Sequence, residues 1–254
     1  MATPYHSSSD LEGPAGYTYA AVALRVAPDA EPAALGVLRE IRFSGWLATP
    51  QDGWQVIVPT AGAGTAAAGR RGVVGVGEAL TRAMPSLAVV AVRVLRDRQL
   101  LLVVWSEGHE VARYVSDPSA EPGARPDVLS DPYGAEDSGA IAAACGRPDV
   151  AEELLEMLEE ELDTDEVIES ERLGRVLRLL GLPTWLVTVS TLPKELPTGP
   201  SPRDLTRLGA GRTGVIGWVA GRAVDVVRRR RQPPPALLDP PRAGPMEEFD
   251  PWLI

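Results

Sequence analysis

Apolar residues fall in short runs through residues 17–115, and their period switches between that of a strand and that of a helix. Residues 17–26 (YTYAAVALRV), 45–49 (GWLAT) and 54–58 (WQVIV) read as strands, rich in β-branched and aromatic side chains. Pro50-Gln51-Asp52-Gly53 is a turn signal, so the second and third of these form a hairpin. Leu35, Leu38 and Ile41 share one side of a helix predicted over 28–42. A second helix over 73–84 is stopped by Pro85. Three more strands follow at 87–95 (LAVVAVRVL), 99–105 (QLLLVVW) and 109–115 (HEVARYV).

This order predicts an α+β fold. It implies a ferredoxin-like βαββαβ antiparallel sheet with two helices on one face, two extra strands, and a helical C-terminal half. The expected organisation is a disordered tail over 1–16, a sheet domain over 17–117, and a linker over 118–135. A mainly helical region over 136–231 then packs on the sheet domain, and a Pro-rich tail covers 232–254.

Within the helical half, 136–145 is a short Ala-rich helix. Residues 149–182 form a helix pair, with Leu154, Leu155 and Leu158 on one side of its first member and Leu173, Val176, Leu177 and Leu180 on one side of its second. Asp149 and Glu152 have the spacing of a capping box, and Gly181 with Pro183 ends the pair. Residues 184–192 (TWLVTVSTL) alternate like a strand, 203–208 form a helical turn, and 213–231 form a last helix. That helix is expected to pack on the domain with its Arg cluster at the negative end of its own dipole, the GxxxG of Gly217 and Gly221 permitting close packing.

The net charge is −10, but residues 119–200 hold 6 basic and 18 acidic groups, whereas 201–254 hold 9 basic and 6 acidic. An acidic middle disfavours nucleic acid and anionic membranes as partners. One Cys cannot form an internal disulfide, and no apolar run reaches the ~20 residues of a bilayer span. The start of the chain lacks a basic and apolar leader, so the expected location is cytoplasmic.

Candidate chemistry is sparse. The loop 60–77 carries Gly62, Gly64 and Gly69 before Arg70 and Arg71, and a glycine loop entering a helix can hold an anion or nucleotide. Arg70 and Arg71 stand where a Walker motif needs Lys and Ser or Thr, which removes the usual magnesium site. The glutamates of 149–171, Glu152, Glu156, Glu159 and Glu160 among them, have no His nearby, so no metal or cofactor is expected and the acids read as a docking face for a basic protein. The pair Cys145 and His109 has no spacing that suggests catalysis, no GxSxG elbow is present, and the balance is against an enzyme. The C-terminus ends in Phe249, Trp252, Leu253 and Ile254, apolar anchors on a Pro-rich tail. The leading expectation is protein–protein contact through the acidic face and this tail. Anion binding at 60–77 is the first alternative and peripheral membrane contact through 213–231 the second.

Overall fold

The computed structural model describes residues 16–27, 29–60, 62–160, 169–192, 196 and 198–243. Seven strands form one antiparallel open sheet in the order β6-β5-β4-β1-β3-β2-β7. The strands are β1 (Tyr19–Arg25), β2 (Gly45–Leu47), β3 (Trp54–Pro59), β4 (Val89–Leu95), β5 (Gln99–Ser106), β6 (His109–Val115) and β7 (Thr206–Leu208). The α-helices are α1 (Ala30–Glu40), α2 (Val73–Ala83), α3 (Ser138–Ala144), α4 (Ala151–Glu159), α5 (Glu169–Leu179) and α6 (Gly214–Arg229).

The pleat sends alternate residues to two separate cores. Ala20, Val22, Leu24, Ala91, Leu101 and Val103 face α1 and α2, where they meet Ala34, Leu38, Val76 and Leu80. Ala21, Ala23, Val90, Val92, Leu100 and Leu102 face the other way and meet α3, α4 and α5 through Ile141, Leu154, Leu158, Leu173 and Val176. Both faces of the inner strands are covered, which is why β4 and β5 read as continuous apolar runs. Helices α1 and α2 do lie on one face, as their apolar sides require.

The seven-strand order as a whole is unlike that of the expected ferredoxin-like sheet: β5 and β6 lie beyond β4, and β7 beyond β2. β7 comes from beyond residue 200 and pairs with β2, Gly45 opposite Leu208 and Leu47 opposite Thr206. Residues 206–208 were expected in a helical turn; pairing with the otherwise open edge of β2 prevails. Residues 184–191 form a 3₁₀ helix instead of a strand. Pro183 leads into it, and Trp185, Leu186 and Val189 all turn to the core, which strand alternation could not achieve. Asp149 does not cap α4: it lies in a 3₁₀ turn over Pro148–Val150 and pairs with Arg147 at 3.3 Å. Of the joint between α4 and α5, residues 161–168 lie outside the described residues.

The Pro-rich segment departs most from expectation. Residues 232–243 run back over the body, burying Ala236 and Leu237 against the α1/α2 core. The Leu129 N–H donates to the Pro241 carbonyl at 3.0 Å and the Ala243 N–H to that of Asp127 at 2.8 Å. Two apolar side chains with a place in the core outweigh the tail-like composition. Phe249, Trp252, Leu253 and Ile254 lie outside the described residues.

Candidate functional site

Helix α6 is mounted inside out. Gly217, Gly221, Asp225 and Arg228 are its buried residues. Val215, Ile216, Trp218, Val219, Val226 and Val227 are between 46% and 80% exposed. On a helix these six spread over the side opposite the buried four. The helix packs on the domain through its small and polar side, which leaves the apolar stripe outside.

The reversal has a local cause. β7 leads into a turn at Gly209, and α6 crosses that turn in backbone contact. A Cβ added to Gly209 would lie 1.8 Å from the carbonyl oxygen of Gly217, and one added to Gly217 would lie 2.0 Å from that of Arg212. Only the small side of the helix can approach so closely, so the GxxxG does serve close packing. At the far end Arg228 locks the orientation. Its Nη1 donates to Ser44 Oγ at 2.9 Å and to the Ala66 carbonyl at 3.3 Å. The same Ser44 hydroxyl accepts from the Ala210 N–H at 2.9 Å. Burial lowers the Arg228 pKa, Asp225 opposes that shift, and the charge of Arg42 adds to it.

The rim of the apolar face is basic. Between Leu205 and Leu238 Asp225 is the one acid in the sequence, and it is turned inward. Arg212, Arg222, Arg229, Arg230 and Arg231 are exposed. The Arg222 guanidinium stacks over the Trp218 ring, 5.3 Å from its centroid.

The predicted anion loop is built around the end of α6. The Thr65 N–H donates to the carbonyls of Arg228 and Arg231 at 3.2 Å each, and the Thr65 hydroxyl donates to Arg228 at 3.2 Å. A Cβ on Gly64 would stand 2.9 Å from the Arg228 carbonyl oxygen. Gly64 admits the helix terminus closely, a role that leaves the same sequence signature as a phosphate cradle, whereas Gly62 approaches the backbone of Thr18.

Arg70 and Arg71 are separated by the structure. Arg71 joins Gly62, Gly64 and Gly69 in lining a groove of about 880 Å³ between α2 and β6, roofed by residues 233–239. Glu78, Glu110, Asp137 and Asp239 also line it. Arg113 in this groove is held by Glu110, with Nε to Oε1 at 2.7 Å, and Arg93 is ion-paired with Glu121. The groove therefore has no excess of free positive charge for an anion. Arg70 lies in a second cleft, of about 300 Å³, with Arg42, Arg228 and Arg231.

Glu152, Glu156, Glu159 and Glu160 are exposed, and Glu160 pairs with Arg175. Cys145 is buried in the core, where burial pushes its thiol up to about 12 against a smaller opposing effect of Arg25. Such a thiol is no nucleophile near neutral pH. His109 is exposed at the β5–β6 turn, its Nδ1 3.2 Å from the Glu107 carbonyl oxygen. Among the described residues no group of three or more His, Cys, Asp or Glu is placed to hold a metal.

Sequence reading missed a buried polar cluster between the sheet and α5. Arg172 Nη1 donates to the Tyr114 hydroxyl at 2.9 Å and lies 3.4 Å from Glu169 Oε1, and the Tyr114 hydroxyl donates to the Leu158 carbonyl at 2.8 Å. Ser170 donates to Asp97 and accepts from the Tyr19 hydroxyl at 2.9 Å. Burial raises the Glu169 pKa, with Arg172 and Ser116 working against it. The cluster ties α5 to the β4–β5 turn and to β6, since Glu169 N–H also donates to the Asp97 carbonyl at 3.0 Å. Its signal in the sequence was charge within the apolar face of α5: Glu169 and Arg172 stand one turn apart on the side that Leu173, Val176 and Leu177 bury.

Compared with known proteins, the chain matches no family model, no curated protein and no solved structure. No helix among the described residues is long and apolar enough to cross a membrane.

Proposed function

We propose that this protein is a peripheral membrane-binding protein that lays α6 on the surface of an anionic bilayer. The observation that carries the reading is the inversion of α6, with Gly217, Gly221, its one acid and Arg228 inside and Val215, Ile216, Trp218, Val219, Val226 and Val227 outside. A helix of 16 residues is about 24 Å long, enough to lie along the interface but not to cross it. Apolar residues sink to the acyl boundary while flanking arginines and a tryptophan stay at headgroup level. Each valine taken from half exposure into that layer contributes roughly 1 kcal/mol, and each arginine near an anionic surface about 1 kcal/mol more.

A second copy of the chain fits this face less well. A two-fold pair would set the arginine rim of one molecule against that of the other. An acidic protein partner is the competing occupant, and vesicle binding separates the two. The test is co-sedimentation with phosphatidylcholine vesicles, with and without phosphatidylserine. Binding to the anionic vesicles that weakens with salt and disappears in Ile216→Glu/Val219→Glu supports the reading. Absence of binding to either vesicle overturns it.

We infer that β1-α1-β2-β3-α2-β4 is a ferredoxin-like unit that has been built out on both edges. The order β4-β1-β3-β2 at the centre of the sheet and the placing of α1 and α2 on one face support it.

A further inference from the structure

The cleft beside α6 is lined by Arg42, Arg70, Arg228 and Arg231, with Thr65 and the backbone of 67–69. No carboxylate lines it, and none of the four arginines belongs to a salt bridge among the described residues. Arg228 is buried at its floor, and its hydrogen bonds go to the uncharged acceptors Ser44 and Ala66. Arg70 gives one donor to the Gln232 carbonyl at 3.0 Å. Arg42 and Arg231 are exposed. Asp225 is the one acid that acts on Arg228, so four positive charges face a single carboxylate; they repel one another on balance, and a multiply charged anion would relieve that repulsion.

Two further features suit an anion. A helix C-terminus normally repels negative charge through its free carbonyls. Here the Arg228 and Arg231 carbonyls accept from Thr65, which blunts that effect. Val224 and Val227 also line the cleft, and Val227 belongs to the exposed apolar face of α6. A ligand held in the cleft therefore borders the surface assigned above to the bilayer.

We propose that this cleft binds a phosphate monoester, and, resting on the membrane reading above, that the monoester is a lipid headgroup. A monoester offers three acceptor oxygens and close to two negative charges, which suits several convergent guanidinium groups better than a diester does. The cleft, at about 300 Å³, is of a size for such a headgroup. Arg42 and Arg231 are the exposed recognition residues, and Arg228 supplies buried charge.

The test compares flotation on phosphatidylcholine vesicles containing either phosphatidylserine or phosphatidic acid, matched in surface potential. The wild-type protein is expected to prefer the phosphatidic acid vesicles by about tenfold, and Arg42→Gln/Arg231→Gln to lose that preference while still binding the phosphatidylserine vesicles, about fivefold more weakly because Arg231 also leaves the rim. Both side chains are exposed, so the variant is expected to keep the wild-type circular dichroism spectrum and unfolding transition. Titration with soluble glycerol phosphate, followed by NMR, reads the cleft without a membrane. Shifts that vanish in the arginine variant but persist in Ile216→Glu/Val219→Glu support the cleft. If glycerol phosphate binds through Arg42 and Arg231 but no vesicle does, the cleft serves a free phosphate monoester and the membrane reading falls alone. Equal binding to the two anionic vesicles, or an unchanged preference in the arginine variant, overturns the headgroup assignment. Absence of any arginine-dependent phosphate response in either assay overturns the cleft as a site.

Discussion

Gly209 and Gly217 touch backbone to backbone: a Cβ on Gly209 would stand 1.8 Å from the Gly217 carbonyl oxygen. This contact sets which side of α6 faces the protein, and so which side is left outside. Gly209→Ala must push α6 outward or bend the turn after β7. The expected loss is about 1 to 3 kcal/mol, as for other overpacked contacts. Urea unfolding measures it, and limited trypsinolysis should show faster cleavage after Arg228 as the helix end loosens.

Ser44 joins three segments. Its hydroxyl accepts from the Arg228 guanidinium and from the Ala210 N–H, both at 2.9 Å. Ser44→Ala removes the one acceptor of both hydrogen bonds inside the core and should cost about 1 to 3 kcal/mol. With Arg228→Leu already present the charge no longer needs that acceptor, so the double variant should lose less than the sum of the singles. Urea unfolding of the four proteins completes the cycle.

Glu169 predicts a pH dependence opposite to that of a salt-bridged surface acid. Burial raises its folded pKa above the ordinary value of 4.5, despite Arg172 nearby. Between the ordinary and the raised value the native state binds more protons than the unfolded chain. The contribution of this group to stability is therefore fully present below that window and is lost as pH rises through it. Glu169→Gln should flatten this part of the profile, measured by urea unfolding at a series of pH values above 4.5. A slope equal to that of the wild type would show that the carboxyl ionises freely in the native state.

Cys145 provides an independent probe of the second core. Its thiol is buried beside Ile141 and Leu154 and is pushed up to about 12. Reaction with a disulfide reagent at neutral pH should be slow in the native protein and fast in urea, at a rate limited by opening of the α3–α5 layer. Rapid labelling of the folded protein would contradict the burial.

Much of the sheet was legible because each of its first six strands carries its own signal. The turn at Asp52 and Gly53 is one case: both residues take positive φ, 52° and 80°, as an Asp-Gly hairpin turn requires. What escaped was set by partners distant in sequence. β7 has three residues, too few for a pattern, and exists because β2 offered an edge. Ala236 and Leu237 sit in a segment whose composition resembles a loose tail, yet they fill a space over the α1/α2 core. The candidate site was half visible. Its apolar stripe, GxxxG and arginines can all be read from residues 213–231, but periodicity does not tell which side of a helix faces the body. That depended on Gly209 and Ser44, which lie outside the helix. The glycine loop showed the same limit, since close approach to a helix end and close approach to a phosphate both call for glycine.

The apolar side of α6 is the part of this account most open to a direct measurement. Vesicle co-sedimentation of the full chain, with phosphatidylcholine alone and with added phosphatidylserine, compares the wild type with Ile216→Glu/Val219→Glu. Both substituted positions are exposed, at 65% and 57%, so the variant should fold as the wild type does. If α6 inserts through this side, the wild type sediments with the anionic vesicles and the variant stays in the supernatant. Equal sedimentation of the two proteins, or none of the wild type, would contradict it.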